Sequence, residues 1–343
     1  MTEKKAVIDP TIELIEALGE YTHDPLSFVY FAFPWGEPGL LEKMKGPEEW
    51  QREVLKDIGS GLKCPNEVIR EAVASGHGIG KSAMVSWLIL WAMSTHEDTR
   101  GVVTANTDTQ LRTKTWPELI KWYNLFIGRT LFTVTATAIF SNEKGKEKNW
   151  RIDAIPWSEN NTEAFAGLHN QGKRILMLFD EASAIANPIW EVAEGAMTDR
   201  DTEIIWCAFG NPTRNTGRFY DCFHKFRHLW KQRQVDSRTV SFSNKERIKE
   251  WIDTWGEDSD MCVSVCVDSS LMLRLFSLFL RSWRRRQGAG ILSQSSLGLR
   301  RWLSEWIRHG WVMMLRLFGF VRDLWLKGLR RYRRMIMIWW WLI

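Results

Sequence analysis

The sequence predicts an α/β fold, a mostly parallel sheet with flanking helices built around a phosphate-binding loop. Three observations predict it. From Glu67 onward, apolar β-rich runs alternate with helical periods. Two of those runs, Arg174 to Phe179 and Glu203 to Phe209, are apolar at nearly every residue rather than every second one, as strands covered on both faces are. Between a strand and a helix stands Ser75-Gly76-His77-Gly78-Ile79-Gly80-Lys81-Ser82, a glycine-rich turn that ends in Lys-Ser.

The elements follow in chain order. Residues 1–27 read as an N-terminal arm with a short helical pattern at Thr11 to Leu18. Val68 to Ser75 is the first strand, and Gly80 to Ser94 is a helix carrying Met84, Trp87, Leu88 and Trp91 at apolar positions. Gly101 to Ala105 is the second strand. Thr107 and Asp108 then cap a helix that runs to about Phe126. Phe132 to Phe140 and Trp150 to Trp157 are β-rich runs joined by the charged turn Asn142 to Lys148, the pattern of a hairpin. The two buried strands complete a nucleotide-binding domain over residues 28–240. Residues 241–260 read as a linker and 261–343 as a tail.

Composition supports an ordinary soluble globular body, with 45% hydrophobic and 25% charged residues among 343. Met1 to Pro10 is polar and has no apolar run behind it, so a signal peptide is not expected there. The cysteines Cys64, Cys207, Cys222, Cys262 and Cys266 are mostly far apart. Free thiols in a reducing cytoplasm are expected, and a zinc site at Cys262 and Cys266 is the lesser alternative.

The chemistry begins at the glycine-rich turn. Small residues let successive backbone N–H groups wrap phosphates, a Lys reaches the β and γ oxygens, and a Ser hydroxyl suits Mg²⁺. Gly78, Ile79, Gly80, Lys81 and Ser82 are therefore the candidate phosphate ligands, although Ser75 stands where the usual pattern has Gly. The apolar strand Ile175 to Phe179 ends in Asp180-Glu181, 99 residues after Lys81. There the first acid can support Mg²⁺ and the second can orient and deprotonate an attacking water. Gln51, in Gly46-Pro47-Glu48-Glu49-Trp50-Gln51, offers a donor and an acceptor that suit the edge of adenine; the alternative is a surface residue at a helix start. Asn211, in Phe209-Gly210-Asn211-Pro212-Thr213, can sense a γ-phosphate; the alternative is a plain strand-to-loop turn.

These segments, with Thr104-Ala105-Asn106-Thr107, Thr113-Lys114-Thr115-Trp116-Pro117 and Ala164-Phe165-Ala166-Gly167-Leu168-His169, occur in an order that resembles tailed-bacteriophage terminase large subunits across about residues 28 to 260. The resemblance implies a P-loop ATPase of the RecA-like class that uses ATP and Mg²⁺ to push double-stranded DNA into a capsid, in the host bacterial cytoplasm. It implies adenine contact by Gln51, phosphate and metal binding by Lys81 and Ser82, metal support by Asp180, catalysis by Glu181, and coupling through Asn211. The implied partners are a terminase small subunit, a portal protein and further copies of the chain in a ring, with no membrane. One departure is His77, where many family members place an Arg. A different P-loop DNA translocase, or a remnant that only binds nucleotide, are the alternatives.

The tail differs from the body. Residues 1–260 carry 31 Lys and Arg against 38 acids, whereas residues 261–343 carry 15 against three, with 14 of the 15 being Arg. Eight of the 21 tryptophans lie there, three of them as Trp339-Trp340-Trp341. Ordinary surfaces use both Lys and Arg, so this break reads as a shifted reading frame standing in place of the family's nuclease domain. The alternative is an evolved basic amphipathic module. Asp268, Glu305 and Asp323 are isolated acids, and endonuclease activity is expected to be absent. The body's net charge of −7 lends no independent support to DNA binding.

Overall fold

The computed structural model describes residues 9–64, 67–105, 107–156, 168–214 and 216–255. All belong to the first of two units, Met1–Ser269. The basic tail, and most of the segment Ala164 to His169, lie outside the described residues.

Two short helices open the described chain, each started by an aspartate and a proline. In α1 (Pro10–Gly19) the Asp9 carboxylate accepts from Thr11 N–H at 2.9 Å, and in α2 (Pro25–Ala32) Asp24 accepts from Ser27 N–H at 3.0 Å. Proline at the first helical position lacks only an N–H that would have no intrahelical partner. The stretch read as an arm is fastened to the body by its far end: Trp91 Nε1 donates to Tyr21 O, and Thr22 Oγ1 donates to Thr95 O.

The sheet follows from the alternation of strand and helix. Its strands are β1 (Ile69–Ser75), β2 (Arg100–Thr104), β3 (Phe132–Val134), β4 (Ala138–Ser141), β5 (Arg151–Ala154), β6 (Arg174–Phe179), β7 (Glu203–Gly210) and β8 (Lys231–Val235). Their order is β3-β4-β5-β2-β6-β7-β1-β8, with β3, β4 and β5 joined antiparallel and every other pairing parallel. Helices connect the strands: α3 (Glu49–Gly61) precedes β1, and α4 (Lys81–Thr95) links β1 to β2. A short α5 (Asp108–Gln110), a π-turn (Leu111–Thr115) and α6 (Trp116–Leu125) follow β2. Beyond β6 lie α7 (Asn187–Gly195), α8 (Arg218–Phe223) and α9 (Lys245–Trp255). The segment expected as a linker thus carries α9.

The wholly apolar strands are covered on both faces. Leu176 and Leu178 of β6, with Ile205, Cys207 and Phe209 of β7, join the core beneath α3 and α4. The intervening Ile175, Met177, Phe179, Ile204, Trp206 and Ala208 join the core beneath α7 and α8. Trp190 and Trp206 pack there with ring centroids 5.2 Å apart.

The structure corrects one reading. Phe132 to Phe140 is not one strand; it is β3 and β4, folded back on each other. Thr135 Oγ1 accepts from the N–H groups of Thr137 and Ala138, so a threonine turn reverses the chain where neither Gly nor Pro marks it. The hairpin across residues 142–150 is present, as the pairing of β4 with β5.

Candidate nucleotide site

Parallel strands bring their C-terminal ends to one edge of the sheet, and that edge is where ligands of open α/β sheets bind. Ala74 of β1 pairs with Gly210 of β7, and Phe179 of β6 pairs with both Ala208 of β7 and Thr104 of β2. This register places the glycine-rich loop, Asp180, Asn211 and the π-turn side by side.

Gly78 (φ 69°) and Gly80 (φ 88°) of the loop are left-handed, where residues with a Cβ are strained, and Gly80 forms the cap from which α4 starts. Lys81, only 7% exposed, turns its ammonium onto Ser75 Oγ (3.2 Å), Gly76 O (2.9 Å) and Asn211 Oδ1 (2.5 Å). Burial lowers its pKa, while Glu181 and Asp180 oppose the loss of its charge. A lysine has only donors, so this contact fixes the Asn211 amide with its oxygen toward Lys81. Asn211 Nδ2 is buried and has no acceptor.

Asp180, 3% exposed, receives Thr115 Oγ1 at 2.7 Å and Ser82 Oγ at 3.4 Å on one carboxylate oxygen, and Glu181 N–H at 3.1 Å on the other. Burial pushes its carboxyl above the usual range, and the Thr115 hydrogen bond pulls it back down. The hydroxyl of Ser82 and the carboxylate of Asp180 are hard oxygen donors, the set that Mg²⁺ prefers. Glu181 sits at φ 52°, ψ 43°, a left-handed conformation that costs roughly 1–2 kcal/mol in a non-glycine residue. At His77, burial and then the nearby Lys81 ammonium lower the pKa of the imidazole below its ordinary value, with Glu181 pulling the other way.

Gln51 is buried rather than on the surface. Its Oε1 accepts from Glu48 N–H at 2.8 Å and its Nε2 donates to Gly80 O at 3.1 Å, while Trp50 Nε1 donates to Ile79 O at 3.2 Å. The start of α3 therefore braces the loop, with both ends of the Gln51 amide hydrogen-bonded.

Sequence reasoning assigned no role to Thr115. It lies within Thr113-Lys114-Thr115-Trp116-Pro117, but nothing in that string announces the π-turn on which Thr115 stands or the contact of its hydroxyl with Asp180.

No family model matches the chain. A probable terminase large subunit of Enterobacteria phage P7 is 30% identical over 159 residues, which is 45% of this chain and 31% of that protein. The chain thus matches about a third of the length of this curated relative. Among solved structures, the large terminase ATPase domain of Thermus phage P74-26 aligns with 64% of this chain and 92% of its own, at 13% identity and a TM-score of 0.46. The large terminase of another thermophilic bacteriophage, in complex with ADP, aligns with 63% of this chain and 53% of its own, at 12% identity and a TM-score of 0.45. Over 159 of its residues, this chain is similar to the large subunit of a phage terminase.

Proposed function

We propose that the chain is the ATP-hydrolysing motor of a phage terminase large subunit and drives double-stranded DNA into a capsid. The observation that carries the ATPase reading is the convergence of Lys81, Asn211 and the Asp180-Glu181 pair at the ends of three adjacent parallel strands. The backbone of Gly78, Ile79 and Gly80 wraps the phosphates, and Lys81 holds the β and γ oxygens. Ser82 and Asp180 hold Mg²⁺, which when bound offsets the charge that develops on the transferring phosphoryl group. Glu181 orients and deprotonates the attacking water. Asn211, one hydrogen bond from Lys81 and with a free buried N–H, reports the γ-phosphate to the loop after β7. Gln51 links the loop to the adenine edge. DNA, a small subunit, a portal and a ring of copies are partners by the resemblance.

Two variants of the full chain test this. Glu181→Gln keeps nucleotide binding and lowers ATP turnover by about 10²-fold or more, the scale of a lost general base. Lys81→Ala abolishes calorimetric binding of a non-hydrolysable ATP analogue, because the loop holds no second full positive charge. Undiminished turnover in the first variant removes Glu181 from catalysis. Equal affinity in the second removes the loop from phosphate binding. Binding without turnover in the wild type favours the nucleotide-binding remnant.

The same reading has the chain leave DNA uncut. Two-metal cleavage needs several carboxylates converging on ions about 4 Å apart, and Asp268, Glu305 and Asp323 are unpaired in sequence. Plasmid nicking in Mg²⁺ or Mn²⁺ that a chelator abolishes would contradict it.

A further inference from the structure

The nucleotide reading leaves one wall of the site without a function. On that reading the triphosphate has a direction along the loop: the Lys81 ammonium, which meets the β and γ oxygens, lies back against Ser75 Oγ and Gly76 O at the start of the loop and against Asn211 Oδ1, so the γ-phosphate belongs at that end. The base must therefore lie beyond the other end, where Gly80 turns into α4. A Cβ built on Gly80 would lie 2.9 Å from Gln51 Nε2 and 3.2 Å from Phe242 Cζ, so an amide and an aromatic ring meet over this glycine.

Phe242 is unusual for its surroundings. It is 47% exposed, whereas Val240, two residues before it, is buried in the core. Its segment is nonetheless held in place from two sides. Ser241 bonds the Glu48 carboxylate through its hydroxyl and through its N–H (3.2 Å), and Ser237 Oγ donates to His77 O in the loop at 3.4 Å. The preceding strand, β8, pairs in register with β1, which feeds the loop. A large apolar ring is thus fixed at the solvent-facing side of the glycine-rich loop, beside an amide able to read a base edge.

We propose that Phe242 is the stacking platform for the purine base of the nucleotide, with Gln51 meeting the base edge. This rests on the nucleotide reading above. A flat π-face suits any purine, so the ring supplies affinity while the amide supplies selection among bases.

Calorimetry on the full chain with ADP and with inorganic tripolyphosphate separates base from phosphate. Phe242→Ala weakens ADP binding by about tenfold or more, the range seen when an aromatic is removed from beneath a base, and leaves tripolyphosphate binding unchanged. Phe242→Trp retains the ADP affinity. Equal weakening of both ligands in Phe242→Ala would show that the ring only supports the loop, and an unchanged ADP affinity would show that it does not touch the base; either overturns the proposal. The parent reading fails differently: wild-type chain that binds neither ligand, or Lys81→Ala that loses neither, sinks both.

Discussion

Glu71 is a carboxylic acid in the middle of β1 and only 1% exposed. On the sheet it stands between Cys207 of β7 and Lys231 of β8. The cations nearby are engaged elsewhere: Lys231 and Arg233 pair with Asp57 of α3, and Arg233 also pairs with Glu53. Burial, and then the negative charge of Asp57, push its pKa from 4.5 to about 8, against the smaller pull of Lys231 and Arg233. The same burial holds the Cys207 thiol well above its ordinary value. A carboxyl whose folded pKa exceeds its unfolded one binds a proton on folding between those two values. Its contribution to stability is complete below about pH 4.5 and is lost as pH rises through about 8. Unfolding free energies from urea melts across that window should fall with pH by at most ~1.4 kcal/mol per unit from this group. In Glu71→Gln this component of the slope should vanish, and an unchanged slope would assign the proton elsewhere.

At the scale of elements, the π-turn at Leu111–Thr115 ends on Thr115, whose Oγ1 donates to Asp180 at 2.7 Å. Thr115→Val keeps the side-chain shape and removes this bond from a buried carboxylate. On the proposed function, ATP turnover should fall by about tenfold, as expected when one hydrogen bond that positions a metal-holding carboxylate is lost, while Thr115→Ser retains most of it. Turnover equal to wild type in the valine variant would make the contact incidental. The turn also shows where sequence was informative. The buried strands β6 and β7 and the loop before α4 were legible, because unbroken apolar runs and glycines at left-handed positions leave few other solutions. Three features were not. β8 (Lys-Gln-Arg-Gln-Val) is an edge strand whose polar residues carry no period-2 signal, the β3–β4 reversal is marked by Thr135 rather than by Gly or Pro, and the π-turn ends on a residue whose partner, Asp180, lies 65 residues away. The burial of Gln51 was hidden too, since the loop residue it meets, Gly80, lies 29 residues away.

At the scale of the whole domain, the candidate nucleotide site lies at one edge of the sheet, and a charge cluster around the buried Arg174 holds the opposite edge together. Arg174, at the start of β6, is fully buried. It donates to Glu203 at the start of β7 (2.7 Å), to Thr95 Oγ1 at the end of α4 (2.9 Å) and to Thr22 O before α2 (2.9 Å), and its guanidinium lies 4.3 Å from the Trp91 ring centroid. One side chain thus joins the N-terminal stretch, the loop-bearing helix and two central strands. Glu203 also accepts from His23 Nε2 at 2.8 Å; burial raises its pKa, but Arg174 and His23 outweigh this and hold it below 4.5. Removing one partner of a buried pair leaves the other charge without compensation, which typically costs about 3–5 kcal/mol. Glu203→Ala should therefore lower the unfolding free energy by about that much, whereas Arg174→Met combined with Glu203→Leu should recover most of it, because the apolar pair leaves no charge behind. Both variants keep the loop, Asp180, Glu181 and Asn211 untouched, so ATP turnover per folded molecule should stay at the wild-type level where each remains folded. Denaturant melts with turnover measured on the same samples check both halves. If the single variant unfolds no more easily than wild type, Arg174 is held by Thr95, Thr22 and Trp91 without its carboxylate.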